Sequence, residues 1–131
     1  RVINSEFSNT KANLIVSGGE IYERKKSLVG DFYINSFTLV TADICFLGVG
    51  GITANKITTY ALPETAVNRT ILERTNGPRV VAAEGTKVGF TNNFATAETW
   101  MISHLITDQS AVPQEIEKIR KQGIEVIFVD E

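Results

Sequence analysis

The sequence predicts an α/β fold: a mostly parallel open sheet with helices on both faces. Three observations lead there. Short apolar runs recur along the chain, and stretches between them carry helical spacing, two of them opening at a proline. Most of the runs empty into glycine or small polar residues, as strands do at the ligand-facing rim of a parallel sheet. The stretch 42–64, ADICFLGVGGITANKITTYALPE, shows all of this at once. Its run Ile44-Cys45-Phe46-Leu47 suits a strand buried on both faces, the glycines of Gly48-Val49-Gly50-Gly51 follow, and Pro63-Glu64 opens a helix.

In chain order, Val2-Ile3 is a short apolar stub closed by Asn4-Ser5. Leu14-Ile15-Val16 marks a strand over 14–17 that ends in Gly18-Gly19. Parallel neighbours need a crossover of about a dozen residues or more, and 6–13 is too short for one. Either the pair is not a βαβ unit or residues are absent between them. Residues 20–26 read as extended and increasingly charged, with Arg24-Lys25-Lys26 a solvated face or, second, a subunit or anion contact. From Gly30 the spacing of Phe32, Phe37 and Val40 turns helical, in a segment reaching Thr41.

The strand at 43–48 comes next, then a helix over 63–74 with Ala66, Val67, Ile71 and Leu62 as candidates for its inner face. Asn76-Gly77-Pro78 stops it. A strand over 79–83 runs into the polar turn Glu84-Gly85-Thr86-Lys87, and 90–95 reads as a hairpin arm or edge segment. A strand at 104–107 stops at Thr107-Asp108; a helix over 113–122 turns Ile116 and Ile119 inward and ends at Gly123; the last strand covers 124–129. There is no internal repeat, low-complexity tract or linker.

Composition bounds the function. At 131 residues the chain is one domain or most of one. A hydrophobic content of 43% with 21% charged residues is that of a soluble globular protein. The net charge of −2 gives no basic field, so this piece is not expected to bind nucleic acid by itself. No run approaches the ~20 apolar residues of a membrane span and no signal peptide is visible, so the cytoplasm is the expected compartment. Cys45 is the one cysteine, which leaves no disulfide framework and no metal-site spacing. The first residue is Arg1, as expected of a piece of a longer chain.

Several residues admit two readings. Gly18, Gly19, Gly48, Gly50 and Gly51 serve either as turn glycines or as bare backbone that a ligand approaches. Lys87 is a solvated turn lysine or, beside Thr86, a point charge for a phosphate. Glu64 complements the dipole of its helix, while Thr58 and Thr59 offer hydroxyls to a sugar. His104 and Cys45 lie on or beside strands and read as core, neither with a partner at catalytic spacing. Trp100 and Phe94 are expected to pack between strands or across a dimer interface. Asn68-Arg69-Thr70 matches a glycosylation acceptor by chance.

The order of motifs carries more than any one of them. Ser17-Gly18-Gly19-Glu20, Ser27-Leu28-Val29-Gly30, Ala42-Asp43-Ile44-Cys45-Phe46-Leu47-Gly48, Gly51-Ile52 and Thr58-Thr59 come first. Glu64 to Val67, the turn ending in Lys87 and Gly89, Leu105-Ile106-Thr107-Asp108 and Gly123-Ile124-Glu125-Val126 follow. From about residue 14 onward this resembles the C-terminal sensor domain of DeoR-family bacterial transcriptional regulators. The resemblance implies the fold of ribose-5-phosphate isomerase and glucosamine-6-phosphate deaminase. It implies binding of a phosphorylated sugar intermediate and control of a separate N-terminal winged-helix DNA-binding domain. Residues 1–131 then form a partial effector-sensing domain, without that upstream domain and without the sensor's first strand.

The resemblance also turns Lys87 toward the phosphate, and makes Gly18, Gly19, Gly48, Gly50, Gly51, Thr58, Thr59, Glu64, Glu84 and Lys87 the expected ligand-binding set. Four positions depart from the family pattern: Gly50 stands for Asp, Asn68 for Lys, and Glu84-Gly85 for Asp-Ser. The first reading is a non-catalytic effector sensor that acts as a homo-oligomer, with no cofactor, no metal and no membrane. The alternative is a sugar-phosphate isomerase or deaminase, which needs a positioned base. Gly50 removes one and leaves Glu84 as the candidate, which weighs against catalysis. A third reading is an assembly domain with a degenerate pocket.

Overall fold

The computed structural model describes residues 11–24 and 27–130. At its centre four parallel strands lie in the order β3 (Cys45–Gly48), β6 (Arg79–Ala82), β8 (His104–Thr107) and β9 (Glu125–Phe128). Their register sets Leu47 beside Val81, Val81 beside Leu105, and Leu105 beside Val126, so these side chains share one face. That face is the core. Cys45, Leu47, Val81 and Leu105 cluster there with Ile116 and Ile119 of helix α3 (Pro113–Lys121). Proline opens α3, and Gly123 at φ +86 follows it, a conformation that costs a side chain but not glycine. The opposite face is less covered: Phe46, one residue out of phase with Cys45 and Leu47, is 64% exposed.

The second half of the core comes from a sheet that the periodicity does not reveal. Strands β4 (Gly51–Ile52), β5 (Lys56–Thr59) and β7 (Phe94–Glu98) form an antiparallel trio in that order. They bury Ile52, Ile57 and Ala97 against the parallel sheet's core residues. Two short strands, β1 (Glu20–Tyr22) and β2 (Ser27–Val29), pair antiparallel, and helix α1 (Asp31–Thr38) follows them. The expectation of a mostly parallel sheet is therefore corrected to mixed parallel and antiparallel sheets, with helices on both faces. Helix α2 (Leu62–Glu73) packs mainly on β7 and α1.

Four of the five expected strands occupy their places within a residue or two. The fifth does not form. Residues 12–19 have no regular structure, and Ile15 and Val16 are 90% and 72% exposed. An apolar run becomes a strand only where a neighbour takes up its backbone hydrogen bonds, and no described strand lies beside this one. The edge segment expected over 90–95 starts later, as β7. On α2 the inner face is Val67 and Leu72 with Ile71, while Ala66 and Leu62 face outward, since the helix turns toward β7 and α1.

Cys45 is buried. His104 is only half-buried, with Nδ1 2.7 Å from Ser103 Oγ and Nε2 3.2 Å from Glu125 Oε2. Trp100, within the 3-10 turn Thr99–Met101, stands 68% exposed within the chain. The stub at Val2-Ile3 and the residues Lys25 and Lys26 lie outside the described residues. Among the described residues no helix is long and apolar enough to cross a membrane.

Candidate functional site

Parallel strands deliver their carboxyl ends to one rim, and β3 and β6 are neighbours there. β3 ends at Gly48, where an added side chain would meet no atom within 4 Å. The space above it is open. Gly50 and Gly51 are bare for a different reason. The Gly50 N–H donates to the Thr58 carbonyl at 3.0 Å, and a Cβ on Gly50 would lie 2.7 Å from Asn92 Nδ2. A Cβ on Gly51 would run into the Phe90 carbonyl. The segment 90–92 thus closes over the strand end and excludes side chains from it.

Beyond β6 the chain turns at Glu84 into the 3-10 turn Gly85–Lys87, closed by the Lys87 N–H donating to the Glu84 carbonyl at 2.9 Å. Asp108, just past β8, holds that turn: its Oδ2 accepts from the Gly85 N–H at 2.9 Å. Its Oδ1 accepts from the Ser110 hydroxyl at 2.5 Å and from the Ser110 N–H at 2.8 Å. The Ser110 hydroxyl above all, then the Gly85 and Ser110 backbone donors, hold the Asp108 carboxyl below its ordinary value. A side chain at Gly85 would collide with the Ala111 amide and the Ser110 hydroxyl.

Lys87 emerges from this turn half-buried and lines a cavity of about 210 Å³ with Gly48, Val49, Gly50, Thr59, Tyr60 and Glu64. Among the described residues no carboxylate pairs with its ammonium group. Glu64 sits in the first turn of α2 and accepts a hydrogen bond from the Ser27 hydroxyl at 3.1 Å. One cation and one anion therefore border the same space without neutralising each other. The remaining wall is made by Gly48, Val49, Gly50, Thr59 and Tyr60. Such a cavity suits a ligand with an anionic group at one side and hydroxyls at the other.

Five of the ten expected residues meet in this cavity: Gly48, Gly50, Thr59, Glu64 and Lys87. Thr59 is itself 2% exposed, and its Oγ1 donates to the Ala61 carbonyl at 3.3 Å and lies 2.8 Å from Thr65 Oγ1, so it borders the cavity with its hydroxyl already engaged. The other five are elsewhere. Thr58 is buried, donating to the Gly51 carbonyl at 3.4 Å and accepting from the Asn92 N–H at 2.9 Å. Gly51 is buried beside it. Gly18 is exposed, and Gly19 packs against Tyr33 and the Val29 carbonyl. Glu84 is exposed and outside the cavity lining. Sequence reasoning missed Val49 and Tyr60, although Tyr60 directly follows the two threonines it singled out. Among the described residues no group of three or more His, Cys, Asp or Glu side chains is placed to hold a metal ion.

The family described as the DeoR C terminal sensor domain matches residues 2–109. An Escherichia coli O157:H7 protein, provisionally named as an aga operon transcriptional repressor, is 27% identical over 131 residues. That alignment takes in 99% of this chain and 48% of the relative, so the chain spans about half the length of the curated relative it matches. The match over residues 2–109 shows the family: the chain belongs to the DeoR C-terminal sensor domains, and is a sensor rather than an enzyme.

Proposed function

We propose that the chain is the effector-binding part of a transcriptional regulator and that its effector is a phosphorylated sugar. The observation that carries this reading is the Lys87 ammonium, without a carboxylate partner among the described residues, beside the bare backbone of Gly48 and Gly50, in one cavity with the Glu64 carboxylate. A phosphate at Lys87 gains a charge-assisted contact and room at Gly48, and sugar hydroxyls donate to Glu64. The fold kinship with ribose-5-phosphate isomerase and glucosamine-6-phosphate deaminase belongs to the same reading. So do control of DNA through a separate N-terminal winged-helix domain and assembly as a homo-oligomer. The name of the E. coli relative agrees with repression as the output. The isomerase or deaminase alternative loses support from Glu84, the base it requires, which lies outside the cavity.

Calorimetry with a panel of hexose and pentose phosphates, each paired with its unphosphorylated sugar, tests the proposal. At least one phosphate should bind, at least about tenfold tighter than its parent sugar. Equal binding of the pair would remove the phosphate from the account, and binding by neither across the panel would favour an assembly domain.

A further inference from the structure

Helix α2 is tied to the segment before it at both of its ends. At its C-terminal cap the Arg74 guanidinium donates to the Thr38 and Val40 carbonyls, each at 3.1 Å. In its first turn Glu64 Oε1 accepts from the Ser27 hydroxyl of β2 at 3.1 Å. Between these ties little apolar surface is buried: α1 has no buried residue, and Val29 is the one buried residue of β1 and β2. A unit with so few buried contacts opens locally at low free energy, so one polar tie sets a large share of its order.

Glu64 is also the one carboxylate among the described residues on the wall of the Lys87 cavity. Ser27 uses one of about four lone-pair sites that a carboxylate offers, so the same group can take a ligand hydroxyl as well. A side chain held by one donor has already lost the rotamer freedom that the second would have to remove. The two contacts therefore favour each other, and by reciprocity each strengthens the other by the same factor. We infer that Ser27 is a positioning residue for the effector: it fixes Glu64 at the cavity wall, and through that bond a filled cavity orders the β1–β2 ribbon. This rests on the sugar-phosphate reading of the Lys87 cavity and adds the element that responds to it. Inorganic phosphate brings no sugar hydroxyl to Glu64 and leaves the ribbon as it was.

Amide hydrogen exchange and calorimetry on wild type, Ser27→Ala and Ser27→Thr test this, with the panel of hexose and pentose phosphates and with inorganic phosphate. In the free chain Ser27→Ala should speed exchange at Glu20–Tyr22 and Ser27–Val29 about three- to tenfold and leave Arg79–Ala82 unchanged. A bound sugar phosphate should slow the ribbon amides in wild type and Ser27→Thr, and not in Ser27→Ala. Ser27→Ala should bind it about three- to tenfold more weakly, and Ser27→Thr as wild type does. Unchanged exchange in free Ser27→Ala would show that the tie holds nothing and overturn the inference. A sugar phosphate that binds but protects the ribbon equally in wild type and Ser27→Ala, or in neither, would overturn it too and leave the sugar-phosphate reading standing. So would equal protection by inorganic phosphate, which would route the response around Glu64. No binding across the panel would overturn both readings.

Discussion

Asp108 Oδ2 accepts a hydrogen bond from the Gly85 N–H at 2.9 Å, and this contact ties the turn that carries Lys87 to the end of the neighbouring strand. Ser110 completes the arrangement with its hydroxyl and its amide on Oδ1. The ammonium group therefore projects from a turn fixed at two strand ends.

The same contacts give stability an acid dependence. Asp108 is held below its ordinary value of 3.8 in the folded chain. A depressed carboxyl contributes fully above its unfolded value, and the contribution is lost as pH falls through the folded one. Denaturant melts at stepped pH should show wild type more stable than Asp108→Asn near neutrality, with the gap closing below about pH 4. A gap that stays constant into acid would show that the charge of Asp108 contributes nothing.

Gly85→Ala tests the same turn sterically. The added methyl meets the Ala111 backbone amide and the Ser110 hydroxyl, and Asp108 Oδ1 stands at 2.8 Å. Overpacking of this kind costs about 1–3 kcal/mol, read as a lower denaturation midpoint at unchanged slope. A neutral substitution would mean that the loop after β8 yields freely.

Leu105 and Ile15 form a contrasting pair, at 0% and 90% exposure. Leu105→Ala should destabilise the chain by about 2–5 kcal/mol, because it opens a cavity between the two sheets. Ile15→Ser should change stability by less than about 0.5 kcal/mol. If Ile15→Ser cost as much as Leu105→Ala, residues 12–19 would have to pack as a strand after all.

That contrast shows what is legible in a sequence. The strands at Cys45–Gly48, Arg79–Ala82 and His104–Thr107 were readable because a strand inside a parallel sheet is apolar over consecutive residues. Leu14-Ile15-Val16 has the same look, but its outcome depends on a pairing partner, which the run itself does not encode. The strand Lys56–Thr59 escaped for the opposite reason. Its buried side chains include Thr58 and Thr59, whose hydroxyls are satisfied by hydrogen bonds that no hydropathy pattern records. On the rim, Gly48, Gly50, Glu64 and Lys87 were readable as strand-end and helix-start residues. Thr58 and Gly51 were not, since the antiparallel sheet and the segment 90–92 turn them inward.

The most direct measurement is the affinity of one bound sugar phosphate for wild type and for Lys87→Met, taken by calorimetry with a denaturation curve for each protein. Lys87 makes no ion pair among the described residues, so the curves should superimpose. A charge-assisted contact of about 1.5–3 kcal/mol predicts that binding weakens roughly tenfold to a hundredfold. Equal affinity in the two proteins would contradict the account and take the phosphate away from Lys87.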